Sequence, residues 1–188
     1  MNTLHIIIPT NRREFISQIV QSVYDAEPHG LEIRMHLMFQ SNRTHHLSVA
    51  VDKANEATDM ITSGWIWFLS DDNKINPKLF RRITELINQH PEKECIVFSE
   101  EHHDPYPRIL RASPNSVNPA EIGGCQYVIK RELIGSHRHD WEAYGGLCDG
   151  YFIRDIFRES PEKFLFIDEV LMTYDAYFWK EYEHSTVS

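Results

Sequence analysis

Nowhere in the 188 residues is there an apolar run near the roughly 20 that a membrane-spanning helix requires. The hydrophobic segment at residues 4–9 is short and has no basic lead-in, so neither a span nor a secretory signal is expected, and a cytoplasmic protein is. Cysteine is scarce as well. Cys95, Cys125 and Cys148 are odd in number, widely spaced and free of any C-x-x-C pairing, which argues against a disulfide framework or a zinc knuckle. Positive charge is in deficit: 19 Lys and Arg face 28 Asp and Glu, for a formal net charge of -9 and a pI near 5.6. A broad nucleic-acid-binding surface is therefore not expected, whereas a small anionic ligand held through a metal is compatible with this charge.

What is present reads as one α/β domain. The 41% hydrophobic and 12% aromatic content suffices for a single core. Residues 4–8 predict a buried strand, Asn11 and Glu14 a capping-box-like helix start, and Phe15, Ile16, Ile19, Val20 and Val23 recur at helical spacing. Residues 32–39 predict a second strand, residues 47–61 a second helix stopped by Gly64, and residues 65–69 a third, wholly apolar strand. This β-α-β-α-β run is the pattern of a parallel sheet with covering helices. Further on, Asn76 and Pro77 open a helix lined by Leu79, Phe80, Ile83, Leu86 and Ile87, and residues 95–98 form a short strand. Residues 99–121, with four prolines, read as a long loop of functional or mobile character. A strand after Gly123-Gly124, a helix after Asp149, a strand pair over residues 164–174 and an aromatic, polar tail from Tyr177 complete the reading.

The chemistry concentrates where the third strand ends. Asp71 and Asp72 follow it directly, at the carboxyl end where open α/β sheets bind ligands. Adjacent carboxylates repel unless a cation lies between or beyond them, and oxygen-only ligands there suit a hard divalent cation carrying phosphates. After the first strand, Thr10, Arg12 and Arg13 lie beside a helix N-terminus, a natural position for phosphate or nucleobase contacts. Gln40 and Asn42 leave the second strand as amides able to bond a base or ribose. Asp149, between a glycine-containing turn and a helix, can act as an N-cap, a general base, or both. His102, His103 and Asp104 are neighbours that seldom converge on one ion. His137, His139 and Asp140 lack the partners of a histidine-rich zinc motif and read as surface residues. Whether His102, His103 or His184 adds to a metal site is open at this level.

In order, these features resemble a GT-A fold nucleotide-sugar glycosyltransferase, similar to the family 2 enzymes. The likeness runs from Leu4 to Tyr174. It rests on Pro9-Thr10-x-Arg12 after the first strand, an Ala- and Asn-containing helix closed by Gly64, Phe68-Leu69-Ser70-Asp71-Asp72-Asn73 resembling the DxD-type motif, Ile122-Gly123-Gly124, and Asp149-Gly150. The resemblance implies a single GT-A (Rossmann-like) domain over residues 1–175 with a mostly parallel central sheet flanked by helices. The nucleotide-binding half would cover about 1–98, the acceptor half about 99–175, and the tail 176–188. It also implies transfer from a nucleoside-diphosphate sugar to a carbohydrate or other hydroxyl acceptor with inversion, by a chain able to form a homo-oligomer.

By the same resemblance, Pro9, Thr10, Arg12, Gln40, Asn42, Asn55 and Asp71 would line the nucleotide pocket. Asp72 would bind Mn²⁺ or Mg²⁺, Gly123 and Gly124 would contact acceptor or donor sugar, and Asp149 would be the base. The chain departs from the family in having Gln40 and Asn42 where an acid often bonds the base, and Cys148 where the late motif often has Glu before Asp. Two other classes share such a sheet. A sugar-phosphate nucleotidyltransferase would normally show a glycine- and basic-rich first loop, and residues 9–13 have no glycine. A non-catalytic module would keep the nucleotide-sugar pocket without transfer.

Overall fold

Leu4, Ile6 and Ile8 of β1 (Asn2–Thr10) point to one side and Ile7 to the other, and all four are fully buried. A strand apolar on both faces belongs inside a sheet covered on both sides. β1 accordingly pairs in parallel with β2 (Leu31–Phe39) on one flank and with β3 (Trp65–Phe68) on the other. The computed structural model describes residues 2–10, 12–27, 29–39, 47–103 and 107–174. Asn11, Gln40, Asn42, Asp104, His184 and the tail lie outside the described residues.

Helices cover both faces in alternation. On one, α1 (Arg13–Asp25) packs Ile19 and Val23 against Trp65 and Trp67, joined by Leu79, Phe80 and Ile83 of α3 (Leu79–Gln89). On the other, α2 (Leu47–Met60) brings Ala54 and Ala57 to Ile66 and Phe68. Phe152, Ile153 and Ile156 of α6 (Cys148–Glu159) extend that second layer, after the short α4 (Arg131–Ile134) and α5 (Trp141–Tyr144). Strand order reverses at β1. Its crossovers leave on opposite sides, so the carboxyl ends of β1 and β3 open a crevice of the kind that binds ligands in doubly wound sheets.

The sheet then runs on through β7 (Tyr127–Lys130), antiparallel between β3 and β5 (Cys95–His102), to β8 (Phe164–Tyr174), which is parallel to β5. β4 (Lys74–Ile75) closes the edge against β8, and β6 (Arg108–Leu110) pairs with β5. The expected mixed α/β domain with a mostly parallel, helix-flanked sheet is the observed one. Among the described residues, no helix is long and apolar enough to cross a membrane.

Several local expectations are corrected. The stretch expected as a loop from residue 99 begins as a ladder, because β5 continues to His102 and β6 returns along it, while residues 111–121 are irregular apart from a 3-10 turn at Pro114–Ser116. The polar end of β5 hid the strand. Residues 164–174 form one strand rather than a pair, with register shifts opposite Phe98, Ser99 and Glu100. Helix starts also differ: α1 has Arg12 at its N-cap with no side-chain cap, and α3 begins at Leu79, after an Asn76 turn whose Oδ1 accepts from the Lys78 amide at 3.0 Å. α2 ends at Met60, four residues before Gly64, so Gly64 turns the chain into β3 rather than ending the helix. It has φ +101°, and Arg131 Nε holds the helix end by donating to the carbonyls of Thr58 and Ile61 at 3.1 and 3.0 Å.

Two histidines meet across β1 and β2. His5 Nδ1 lies 2.9 Å from His36 Nε2, and the rings stack at 5.1 Å. Burial, with the neighbouring positive charges, lowers both pKa values, as burial also does for His139. A native pKa below the unfolded value near 6.5 means that the unfolded chain takes up these protons first, so stability is lost as pH falls below about 6.5. Thermal midpoints measured from pH 7.5 to 5.5 should therefore decline, and the His5→Gln/His36→Gln double variant should decline less steeply. Parallel slopes for the two proteins would remove this pair as the cause.

Candidate active site

The crevice at the ends of β1 and β3 opens into a cleft of about 660 Å³, within the range of small-molecule sites. Thr10 ends β1, and its hydroxyl donates to Asp71 Oδ2. Arg12, one residue before α1, turns its guanidinium back over the same carboxylates. Nη2 donates to Asp71 Oδ1 and, at 2.8 Å, to Asp72 Oδ2, while Nε reaches Asp71 Oδ2 at 3.3 Å. This is the cation that two adjacent buried carboxylates require. Burial opposes charge on Arg12, but its hydrogen bonds to Asp71 and the charges of Asp72 and Asp71 outweigh that and raise its pKa.

The pair is nearly enclosed, Asp71 being 3% and Asp72 7% exposed. Asp72 Oδ1 is buried and has no hydrogen-bond partner. A hard carboxylate oxygen left this way fits a divalent cation, since Mg²⁺-like ions on nucleotides take one or two protein carboxylates and complete their shell with phosphate and water. Among the described residues no three His, Cys, Asp or Glu side chains converge as a complete metal cage. Asn73, the third residue of the motif, is fully buried and donates towards Cys125 Sγ at 3.2 Å, tying the turn to the opposite wall.

That wall is the Gly123-Gly124 segment. Trp67 Nε1 of β3 holds it by donating to the Cys125 carbonyl at 2.8 Å, and Gly123 N donates to Gln126 Oε1 at 2.7 Å. Asp149 packs directly against Gly124: a Cβ there would lie 2.6 Å from Asp149 Oδ2. The N-cap of α6 is Leu147, so Asp149 stands in the helix's first turn rather than capping it, where the helix dipole favours a carboxylate. Its side chain is 46% exposed and faces the cleft. Cys148 Sγ lies 3.9 Å from Asp149 Oδ1, and burial pushes the thiol pKa up to about 12, so it stays protonated.

His139 is the largest surprise. Expected at the surface, it is 5% exposed, stacked on Phe152 at 4.0 Å and edge-on to Phe68 at 4.7 Å, with Nε2 3.3 Å from Asp149 Oδ1. Burial lowers its pKa, with the Asp149 charge opposing, which keeps the imidazole neutral near pH 7. Asn55, expected to line the nucleotide pocket, instead clamps the His139 backbone: its Nδ2 donates to the carbonyl at 2.8 Å and its Oδ1 accepts from the amide at 3.1 Å. Asn55 thus positions His139, and His139 buttresses Asp149. His137 pairs with Glu159 at 3.1 Å, and Asp140 caps α5 by accepting from Ala143 N at 2.9 Å.

Pro9, Thr10, Arg12, Asp71, Asp72, Gly123, Gly124 and Asp149 therefore share one cleft. Glu100 and His102 of β5 line it too, beyond Phe98, at which the sequence pattern ends that strand.

The fold, a sheet doubly wound at β1 with covering helices on both faces, is that of solved glycosyltransferase structures. In sequence, no family model and no curated protein matches the chain. In structure, it superposes on TarS 1–349 of S. aureus in complex with UDP with a TM-score of 0.65 at 12% identity, covering 92% of this chain and 60% of that one. TarS 1–349 in complex with UDP-GlcNAc gives 0.59 at 11% identity over 92% and 58%. A glycosyltransferase involved in glycosylation of the major capsid of PBCV-1 gives 0.51 at 12% identity over 98% and 100%. The chain thus spans about 60% of the TarS 1–349 length that it matches.

Proposed function

We propose that this chain is a metal-dependent glycosyltransferase that moves a sugar from a nucleoside diphosphate to an acceptor hydroxyl with inversion. The observation that carries the reading is that Asp71-Asp72 and Asp149 line one cleft at the topological switch point. Structural neighbours that include glycosyltransferases, two of them with UDP or UDP-GlcNAc bound, support it.

Thr10 and Arg12 fix the Asp71 carboxylate for the ribose side of the nucleotide, and Arg12 adds positive charge beside the diphosphate. Asp72, through its unpartnered Oδ1, would hold Mn²⁺ or Mg²⁺; the ion's chemistry is to neutralise charge developing on the departing diphosphate. Asp149 takes the proton of the acceptor hydroxyl as that oxygen forms its bond to the anomeric carbon. The bond from that carbon to the diphosphate breaks, and the nucleoside diphosphate leaves with the electron pair. One carboxylate is enough for the proton, so inversion requires no second nucleophilic acid.

The test is a thermal-shift panel of UDP, GDP, CDP and dTDP with and without Mn²⁺, on the native chain and on Asp72→Ala. One nucleotide should raise the midpoint only when both Mn²⁺ and Asp72 are present, by the equivalent of about 2.7 kcal/mol at a hundredfold excess over its Kd. No shift with any nucleotide overturns the reading, and pyrophosphate release from a triphosphate would replace it with a nucleotidyltransferase.

A further inference from the structure

Glu100 and His102 stand two residues apart on β5, and both line the cleft. They continue the row that Ile96 and Phe98 begin in the core, so the strand passes from apolar packing into the cleft along one face. The register shifts between Phe98 and Glu100 lie at this transition, a common device for re-aiming side chains beside a site.

Their burial is extreme for such groups, at 1% exposed for Glu100 and 7% for His102. His102 Nε2 pairs with Glu100 Oε1 at 2.5 Å, and Tyr174 stacks on the imidazole at 4.8 Å. Glu100 Oε2 and His102 Nδ1 are buried without hydrogen-bond partners. Leaving such atoms unpaired is costly, and a ligand group that pairs them recovers that cost. Gly123 leaves room for the carboxylate, since a Cβ there would lie 3.3 Å from Glu100 Oε1. Glu100 thus lies against Gly123 and Asp149 against Gly124.

The geometry points to a hydroxyl-reading subsite: Glu100 Oε2 and His102 Nδ1 hydrogen-bond neighbouring hydroxyls of a sugar ring bound against Gly123. The natural place of a phosphate is beside Arg12, and a mixed carboxyl and imidazole pair matches a neutral polyhydroxylic group. The subsite deepens the glycosyltransferase reading and rests on it for the ring's origin, which is either the donor's sugar or the acceptor's.

Calorimetric titration of the native chain, Glu100→Gln and His102→Gln with UDP, UDP-glucose and UDP-GlcNAc in Mn²⁺ gives the donor arm. Saturation-transfer NMR with methyl glycosides of glucose, galactose, mannose and GlcNAc in the presence of UDP gives the acceptor arm. Loss of affinity for a UDP-sugar by about tenfold or more, with UDP affinity unchanged, places the donor ring on the pair. Unchanged donor affinity with saturation transfer lost in the variants places the acceptor ring there. If UDP binds all three proteins and neither arm separates them, the subsite is overturned while the donor site stands. If no nucleotide binds the native chain but glycoside transfer depends on Glu100, the subsite stands and the nucleotide reading falls; if neither ligand binds, both fall.

Discussion

Asp149→Asn is expected to lower sugar transfer by about 10²–10⁴-fold while leaving nucleotide affinity within about twofold of native, the range that loss of one general base produces. Asparagine keeps the shape that packs on Gly124 and has no basic oxygen for the acceptor proton. The neighbours cannot substitute. Cys148 holds its proton far above neutral pH, and His139, only 5% exposed at the cleft margin, is held by Phe152 and Phe68 behind Asp149. Nucleotide affinity is spared because Thr10, Arg12, Asp71 and Asp72 form their own hydrogen-bonded cluster across the cleft. Single-turnover transfer measured beside nucleotide titration separates the two effects, and native transfer rates in the variant would remove Asp149 as the base.

The part of this site that can be read from sequence is the part built at strand ends. Asp71 and Asp72 are visible because they interrupt an apolar strand, and Thr10 and Arg12 because they follow another; periodicity locates both ends. Two adjacent carboxylates need a cation; the one expected from the sequence is a divalent metal, whereas the one the structure sets against them is Arg12, which the sequence placed only in the nucleotide pocket. The β-α-β-α-β run and its two covering layers were legible for the same reason, since Ile6 and Ile7 alternate between faces that both are apolar.

What escaped depends on contacts between distant segments. Asn55 and His139 are separated by 84 positions, and only the packing of α2 beneath residues 137–140 turns a helical amide into a backbone clamp. His139 itself sits in a run of polar residues whose composition suggests solvent, yet Phe68 and Phe152 bury it. Glu100 escapes because the apolar signal of β5 stops at Phe98, and His102, weighed only as a metal ligand, is left outside the strand for the same reason. A signal did exist: the period of two set by Ile96 and Phe98 carries on to Glu100 and His102, so extending the strand would have put both on that face. Polar residues continuing a buried row in this way point to a cleft as readily as to a loop.

Gly150→Ala is expected to destabilise the fold by about 1–3 kcal/mol, lowering the thermal midpoint by about 2–12 °C, whereas Gly124→Ala should leave it within about 2 °C of native. Both glycines are tight, but against different neighbours. A Cβ on Gly150 would lie 2.8 Å from the carbonyl oxygen and 2.9 Å from the carbonyl carbon of Pro119, and that backbone cannot rotate away. Either α6 must lift or residues 117–122 must shift, and Val117 and Ile122 are buried in the same core layer as Phe152 and Ile153. At Gly124 the obstacle is the end of the Asp149 side chain, which can swing aside at small cost in stability. That swing removes the carboxylate from its place, so Gly124→Ala should lose transfer while keeping its fold. Thermal unfolding of both variants, with transfer measured on Gly124→Ala, decides the matter. Native stability in Gly150→Ala would mean that α6 is not seated on the Pro119 backbone, and native transfer in Gly124→Ala would mean that Asp149 acts from a different position.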